Sequence, residues 1–158
     1  MPAPGAPRYQ SDKNRFRIEI DGIAHAHFQT CSELAVEVGE ILYREGGDMA
    51  PTAKDPGLYN VPDVTLGRGS VADDSDLWDW FVEVADFATN QGSLFPLYKR
   101  TVDIVVLDRD YSTALEIWRL YDAWPKRFVA GEWDAEAEEK LVSQLVLSVR
   151  GMDRVFPV

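Results

Sequence analysis

A few side chains in the sequence belong to types that could carry out chemistry. His25 and His27 lie two positions apart, so on a strand both rings would point to one face and could bind one metal ion. The sequence offers no obvious third ligand, which favours two polar residues on the exposed face of a hairpin. Cys31 follows closely enough for a thiol–imidazole pair, but no nucleophile turn or orienting group accompanies it. We therefore expect Cys31 to be a buried small hydrophobic residue.

Two other patterns resemble binding sites only in part. Gly67 and Gly69 in "LGRGS" are similar to a fragment of a phosphate loop, but the third glycine and the following Lys-Ser/Thr are missing. Asp73, Asp74 and Asp76 could bind a cation, although acids at the start of a helix more simply complement its N-terminus. The residues therefore predict no enzymatic activity, no metal and no cofactor.

Composition and charge indicate one folded domain. The chain has 158 residues, 46% of them hydrophobic, and its net charge of −11 argues against binding to a nucleic-acid backbone. A single cysteine rules out an internal disulfide and fits a reducing compartment. No apolar run approaches the roughly 20 residues of a membrane span. The first residues contain no apolar core segment, so we expect no signal peptide. We expect synthesis in the cytoplasm, a flexible Pro-rich segment over 1–13 and a single domain over 14–158.

Hydrophobic periodicity predicts the elements that carry these side chains. Alternation of apolar and polar residues predicts several strands, an Asp21-Gly22 turn and a bulge after Gly39. The predicted strands are 16–20, 23–28, 34–43, 61–68, the two arms of a hairpin over 100–128 that turns near 109–113, and 139–150. Residues 46–60 are predicted to be a long loop, and 74–92 a helix. These elements predict a mainly β protein: an antiparallel β-barrel or sandwich with one flanking α-helix.

The predicted helix has more apolar surface than one sheet can cover. At about 100° per residue, its acids and Asn90 form one narrow polar stripe, and apolar side chains occupy more than half of the circumference. Apolar area left over after one core is built usually marks a partner. The edge strand 34–43 also offers unpaired backbone groups to another copy. The pattern therefore favours self-assembly, with a monomer that buries the whole helix as the alternative.

Several stretches, in a fixed order, resemble a known family. They are "RFRIEIDGI", "CSELAVEVGEILYREGGD", "VTLGRG" followed by "DSDLWDWF", "YDAWPKRF" and "RGMDRV", and together they span about residues 14 to 155. This order is similar to that of the tail-tube proteins of contractile-tailed phages and the inner-tube proteins of contractile injection systems. The segment "TNQGSLFPLYKRTVDI" is longer than the usual link, and the Pro-rich start also departs from the family pattern.

The resemblance implies a structural protein of a rigid inner tube. Each subunit would contribute β-hairpins to one barrel shared by a hexameric ring, and stacked rings would form a channel for a cargo effector or for DNA, without sequence-specific binding. The implied partners are other copies, a sheath protein, and baseplate and tube-terminator proteins, with no membrane anchor. The assembled particle would be a virion tail or an injection system, which also acts outside the cell after release.

Two alternatives stay open at this point. One is a small β-barrel ligand-binding module or enzyme that holds a ligand near Trp118 and Trp124. The other is a tube-initiating, baseplate-proximal paralogue of the same family.

The resemblance also implies places for four sets of residues. The loop expected to stack one ring on the next contains Gly46, Gly47, Asp48, Met49, Gly57, Leu58 and Tyr59. The strands expected to line the channel carry Glu33, Glu37, Glu40 and Asp63. The helix flank expected to contact the adjacent subunit has Trp78, Trp80, Val82 and Ala85. The stripe expected to face the sheath consists of Asp76, Asp79, Glu83 and Asp86.

Overall fold

The predicted fold class is confirmed, because antiparallel β-strands dominate and a single helix packs against them. A computed structural model of the chain describes residues 11–23, 28–43, 46, 53–69, 75–89 and 98–156. The elements are β1 (Phe16–Ile20), β2 (Thr30–Cys31), β3 (Glu37–Tyr43), β4 (Ala53–Asn60), β5 (Val64–Gly69), α1 (Asp76–Ala88), β6 (Arg100–Leu107), β7 (Ala114–Val129), β8 (Val142–Ser148) and β9 (Gly151–Phe156).

The long strand β7 joins two sheets. Its first half pairs with β6 on one side and β9 on the other, and its second half pairs with β8. The change of partner follows Asp122, whose φ of 50° lies in the left-handed region and whose carboxylate is 3.3 Å from the Arg150 guanidinium. The order β1-β6-β7-β9 forms one sheet, and β7-β8-β5-β2 forms the other.

One hydrophobic core fills the space between these two sheets. Inward side chains of β1, β6 and β7 meet those of β5 and β8, and two residues of α1 join them. Val64, Leu66, Val102, Leu120 and Leu147 have no accessible surface at all, which is typical of a densely packed interior. The subunit therefore has a complete core of its own apart from the hairpin described next.

The segment 53–60 is a strand, so the predicted long loop over 46–60 is wrong in its second half. β4 pairs with β3 in a separate two-stranded sheet, hereafter the β3–β4 hairpin. The predicted irregularity near Gly39 is present, but the extra residue belongs to β4, because the register steps from Val38↔Tyr59 to Glu40↔Pro56. A Cβ on Gly57 would lie 3.0 Å from the Gly39 carbonyl oxygen, so the two strands approach closely at this bulge.

The hairpin of β6 and β7 is confirmed, and its turn lies over 108–113. Asp110 Oδ1 accepts hydrogen bonds from the backbone N–H groups of Ser112 and Thr113, at 2.9 Å each. The strand predicted over 139–150 is shorter in the structure, where it is β8. The next strand, β9, was not predicted from the hydrophobic periodicity. Of the predicted 23–28 strand, Ile23 forms a single bridge to Ile20, and 24–27 lie outside the described residues.

The residue before the first turn of α1 does not cap the helix through its side chain. Ser75 makes no capping hydrogen bond to a backbone amide, and its hydroxyl instead donates to Asp79 Oδ2 at 3.0 Å. Helical structure ends at Ala88, where the Thr89 hydroxyl bonds back to the carbonyls of the last turn. The predicted stop at Gly92 and the predicted flexible segment over 1–13 lie largely outside the described residues.

Arg100, at the start of β6, connects the first turn of the fold to the helix. Its Nη1 donates to the Asp21 carbonyl oxygen at 2.9 Å, Nη2 is 3.4 Å from Glu83 Oε1, and the guanidinium lies over the Trp80 ring. A Cβ on Gly22 would be within van der Waals overlap of this guanidinium, and Gly22 has φ of +79°. The turn therefore requires glycine both for its backbone and for access of the arginine.

Replacement of Arg100 by alanine is expected to lower the free energy of unfolding by about 1–3 kcal/mol, because a hydrogen bond from a charged group to the turn is lost. Urea unfolding of the dilute subunit measures this change. Arg17→Ala is the control, since Arg17 is exposed and pairs on the surface with Glu19; its removal should cost less than about 1 kcal/mol. Equal effects of the two substitutions would contradict the bridging role of Arg100.

Candidate assembly interface

The β3–β4 hairpin exposes apolar side chains that no core of the subunit covers. All seven residues of β3 are exposed, and Leu42 and Leu58 have exposed fractions of 59% and 87%. An isolated two-stranded hairpin is only marginally stable in water. An exposed apolar surface of this kind usually marks a protein–protein contact.

The two faces of this hairpin carry different side chains. Because β3 alternates without a bulge of its own, Glu37, Ile41 and Tyr43 share one face, which we call the acidic face, and the directly paired Asn60 and Asp55 of β4 lie on it. Val38, Glu40 and Leu42 share the other face with Tyr59, and we call it the aliphatic face. Glu37 and Glu40 therefore point in opposite directions, and the prediction that both line one channel is wrong.

Close to its base, the hairpin is held to the body of the subunit. Val61, which follows β4, is buried in the core. Two residues earlier, the Tyr59 hydroxyl accepts a hydrogen bond from Met152 N–H at 3.2 Å and donates to the Met152 carbonyl at 3.3 Å. Tyr59 thus contacts β9 of its own subunit, whereas Gly47, Asp48 and Met49 of the predicted stacking loop lie outside the described residues. Gly46, also predicted there, is exposed.

The other residues predicted to line a channel have different surroundings. β5 is largely buried, with Val64 and Leu66 in the core, so its side chains cannot line a channel as predicted for 61–68. Asp63 is exposed just before β5, and its carboxylate pairs with the Lys126 ammonium. Glu33 is exposed in the segment that leads to β3.

Helix α1 packs one side into the subunit and leaves the other open. Trp80 has no accessible surface, and its indole N–H donates to the Tyr98 carbonyl at 2.5 Å. The prediction that Trp80 contacts a neighbouring subunit is therefore wrong, since it belongs to the core of its own chain. Trp78 is 50% exposed, Ala85 is exposed and Val82 is half-buried, so the flank that these three form is accessible.

An aromatic cluster supports this exposed flank. Trp78 stacks on Phe81 with ring centroids 5.8 Å apart and meets Phe128 of β7 edge-on at 5.3 Å. Such contacts fix the orientation of an exposed indole. The open face of Trp78 is therefore presented by a rigid support, as in a preformed interface.

The predicted acidic stripe is only partly available to a partner. Asp76 and Asp86 are exposed on the helix. Asp79 accepts the Ser75 hydroxyl, and Glu83 turns towards Arg100 of its own subunit. The stripe is therefore weaker as a docking surface than the sequence alone suggests.

The described residues contain no cluster of side chains that could bind a metal ion. No group of three or more His, Cys, Asp or Glu among them could hold a metal ion, and His25, His27, Asp73 and Asp74 lie outside the described ranges. Gly67 is a paired strand residue that lies against Thr30 of β2, which is not the arrangement of a phosphate loop. Within the described ranges, no helix combines the length and the apolarity that crossing a bilayer requires.

Cys31 is a partly buried thiol on β2. Its Sγ donates to the Ser32 carbonyl at 3.4 Å, and burial raises the pKa of the thiol to about 11, since desolvation disfavours the thiolate. The thiolate is the reactive form, so the sequence expectation of an unreactive residue agrees with this surrounding.

At pH 8, maleimide or iodoacetamide is expected to label Cys31 about a hundredfold more slowly in the folded chain than in urea, where the thiol regains its ordinary pKa. The rate should rise with pH up to about 11. Mass spectrometry of time points measures both rates in the same sample series. Equal rates in the folded and unfolded chains would contradict the raised pKa.

The tryptophans proposed for an alternative ligand site are engaged in contacts within the chain. The Trp118 indole N–H donates to Glu116 Oε2 at 3.2 Å, and the Arg154 guanidinium lies 5.7 Å above its ring. Trp124 meets Tyr98 edge-on, with centroids 6.2 Å apart. These contacts do not favour a ligand-binding module over an assembly subunit.

Comparison with solved structures finds the same fold in chains from contractile injection systems and in Hcp1. The tube-terminating cap of the anti-feeding prophage is 23% identical with a TM-score of 0.77, covering 94% of this chain and 93% of that one. A chain in the sheath–tube complex of the PVC extracellular contractile injection system is 23% identical to this one, with a TM-score of 0.76, and the match covers 93% of each chain. Hcp1 from Flavobacterium johnsoniae is 12% identical with a TM-score of 0.52, over 89% of this chain and 94% of that one. No match was found among curated protein sequences.

The sequence itself also matches a protein family. The matched residues, 12–153, include every strand of the two main sheets, the helix and the β3–β4 hairpin, although β9 continues to Phe156. This range covers nearly all of the segment over which the order of motifs resembled tail-tube proteins. The chain belongs to the family of T4-like virus tail tube proteins represented by gp19.

Proposed function

We propose that this chain is the structural subunit of a rigid inner tube, in a contractile tail or a phage-like injection system. Six copies would close into a ring, and rings would stack into a channel. The observation that carries this proposal is the β3–β4 hairpin, whose apolar side chains, such as Leu42 at 59% exposure, lack cover in the isolated subunit. Membership of the tail tube family supports the same conclusion.

Closure of a ring would pair the edges of the hairpin and cover its exposed apolar side chains. A strand at the edge of a sheet presents unpaired N–H and C=O groups, and a barrel shared among copies leaves no such edge. In the ring, β3 and β4 of each copy would pair or pack against strands of its neighbour. The exposed flank of α1, formed by Trp78, Val82 and Ala85, would lie against the adjacent subunit and account for the wide apolar surface of the helix.

The acidic face of the hairpin is our choice for the channel wall. The aliphatic face contains Tyr59, whose hydroxyl is directed to β9, so the opposite face is the one left for the lumen. Glu37 and Asp55 on that face would repel DNA and acidic cargo, which could then slide without adhering. Of the residues expected from the sequence to line the channel, Glu37 lies on this face and Glu40 does not.

Other partners follow from the proposed assembly. Asp76 and Asp86, exposed on α1, would face a sheath protein, and the ends of the tube would meet baseplate and terminator proteins. We propose no catalytic step and no cofactor. The subunit would be made in the bacterial cytoplasm and act in the assembled particle. The described residues contain no feature that favours a tube-initiating paralogue over the main tube protein.

Electron microscopy of two chains tests the assembly and the stacking role of the hairpin tip. The purified full chain should form stacked rings or tubes. A variant in which residues 47–52 are replaced by Asn-Gly keeps β3 and β4 and should form single rings, because the tip that contacts the next ring is missing. Small globular particles from the full chain would contradict the proposed function, and long tubes from the variant would contradict stacking through the tip.

A further inference from the structure

Tyr59 joins the hairpin to the body of the subunit in an unusual way. Its hydroxyl bonds both the N–H and the C=O of Met152, the two backbone groups that a neighbouring strand would otherwise pair. β9 pairs with β7 on its other side, and among the described residues no strand pairs with this edge of β9. A side-chain hydroxyl therefore occupies one position of an open sheet edge.

Little else in the described part of the chain holds the hairpin. The side chains at its base, Val61 and the half-buried Leu34, pack in or against the core, whereas β3 is exposed along its whole length and Leu58 is 87% exposed. Beyond the base, the two hydrogen bonds of Tyr59 join β4 to the main sheets. The Tyr59 hydroxyl is therefore placed where it can orient the hairpin.

We propose that the Tyr59 hydroxyl is a positioning group for assembly: it aligns the β3–β4 hairpin beside β9 in the free subunit, so that a second copy meets both as one preformed surface. This proposal rests on the proposed function, and the occupant of the surface is a second copy of the chain. A surface that is ordered before binding loses less conformational entropy on association. Removal of the hydroxyl would leave the apolar contacts intact but allow the hairpin to swing.

The test compares Tyr59→Phe with Tyr43→Phe in the full chain. Tyr43 is a matched control, since it lies on the same hairpin, has the same exposed fraction of 51%, and is on the acidic face, away from Tyr59. Both substitutions remove only a hydroxyl from a half-exposed ring. Far-UV circular dichroism checks that both variants keep the wild-type secondary structure.

Two readouts are expected to change in Tyr59→Phe alone. The Met152 amide should exchange its hydrogen faster in the dilute subunit, because its acceptor is gone. The protein concentration at half assembly, measured by analytical ultracentrifugation, should rise by about five- to tenfold, because the hydrogen bonds that hold the hairpin in place before association are lost.

The outcomes separate failure of this inference from failure of the proposed function. If wild-type rings form and Tyr59→Phe assembles at the wild-type concentration, the positioning role is wrong. If Tyr59→Phe assembles at a lower concentration, the hydroxyl instead shields the β9 edge from strand addition, and the inference is also wrong. If the wild-type chain forms no rings, the proposed function is wrong. If the Met152 amide exchanges its hydrogen equally fast in Tyr59→Phe and in the wild type, the hydrogen bond between Tyr59 and Met152 is itself contradicted.

Discussion

Trp80→Ala is expected to lower the free energy of unfolding by about 3–5 kcal/mol, the usual cost of deleting a buried aromatic side chain. Trp80 has no accessible surface, and its indole also satisfies the Tyr98 carbonyl and supports the Arg100 guanidinium. In a domain of ordinary stability, a cavity of this size removes a large part of the free energy of unfolding. Urea unfolding followed by circular dichroism measures the loss.

Trp78→Ala is the matched control, two positions away on the same helix. Its ring is half exposed, so the dilute subunit should lose only about 1 kcal/mol, mainly from the contacts with Phe81 and Phe128. Ring formation should weaken by much more than folding, because the exposed flank is the proposed subunit contact. If Trp78→Ala destabilised the monomer as much as Trp80→Ala, or left assembly unchanged, the division of the helix into a core side and an interface side would be wrong.

Leu42→Asp is expected to abolish ring formation without unfolding the subunit. Leu42 is 59% exposed in the free chain, so a carboxylate there stays hydrated and should change the free energy of unfolding by less than about 0.5 kcal/mol. In the ring the same carboxylate would be buried without a partner, which costs about 3–5 kcal/mol at each interface, or more than a hundredfold in affinity. Size-exclusion chromatography with light scattering measures the loss of rings.

The control for this substitution is Leu115→Asp, on β7 and away from the hairpin. Leu115 is also an exposed leucine, at 38%, and carries the same change of charge. Leu115→Asp should assemble at the wild-type concentration. Rings formed equally well by both variants would show that the aliphatic face of the hairpin remains in water.

Alternation of side chains predicted the body of the subunit well. The strands β1 and β6 carry β-branched or aromatic residues at every second position, and the first half of β7 contains Ile117, Trp118 and Tyr121. The turn between β6 and β7 contains Asp110 where a turn needs it. These elements follow from local chemistry, so the fold class and the hairpin order could be predicted. The breadth of the apolar surface on α1 indicates a partner on the exposed flank, and this stays a prediction.

β4 could not be predicted from local preference. Its sequence, "AKDPGLYN", contains Pro56 and Gly57, which are poor strand residues. The strand exists because β3 lies beside it, and proline is tolerated on an edge strand whose amide needs no partner. The bulge at Gly57 is likewise a property of the pair of strands, and it places Asn60 and Asp55 of β4 on the same face although they are five positions apart.

Contacts distant in sequence decided the rest of the site. Periodicity placed Trp78 and Trp80 on the apolar surface of the helix but could not show which one the core would bury. The pairing of Tyr59 with Met152 joins residues 93 positions apart, and Arg100 reaches Asp21 over 79 positions. No local sequence pattern predicts such contacts, because each depends on how the two sheets and the hairpin pack together.

Native mass spectrometry of the purified chain tests directly whether the hairpin and the helix flank are completed only by other copies. A dominant six-subunit species and its stacked multiples are expected, and Leu42→Asp should convert them to single subunits. A single folded subunit of 17.8 kDa at every concentration would contradict this expectation.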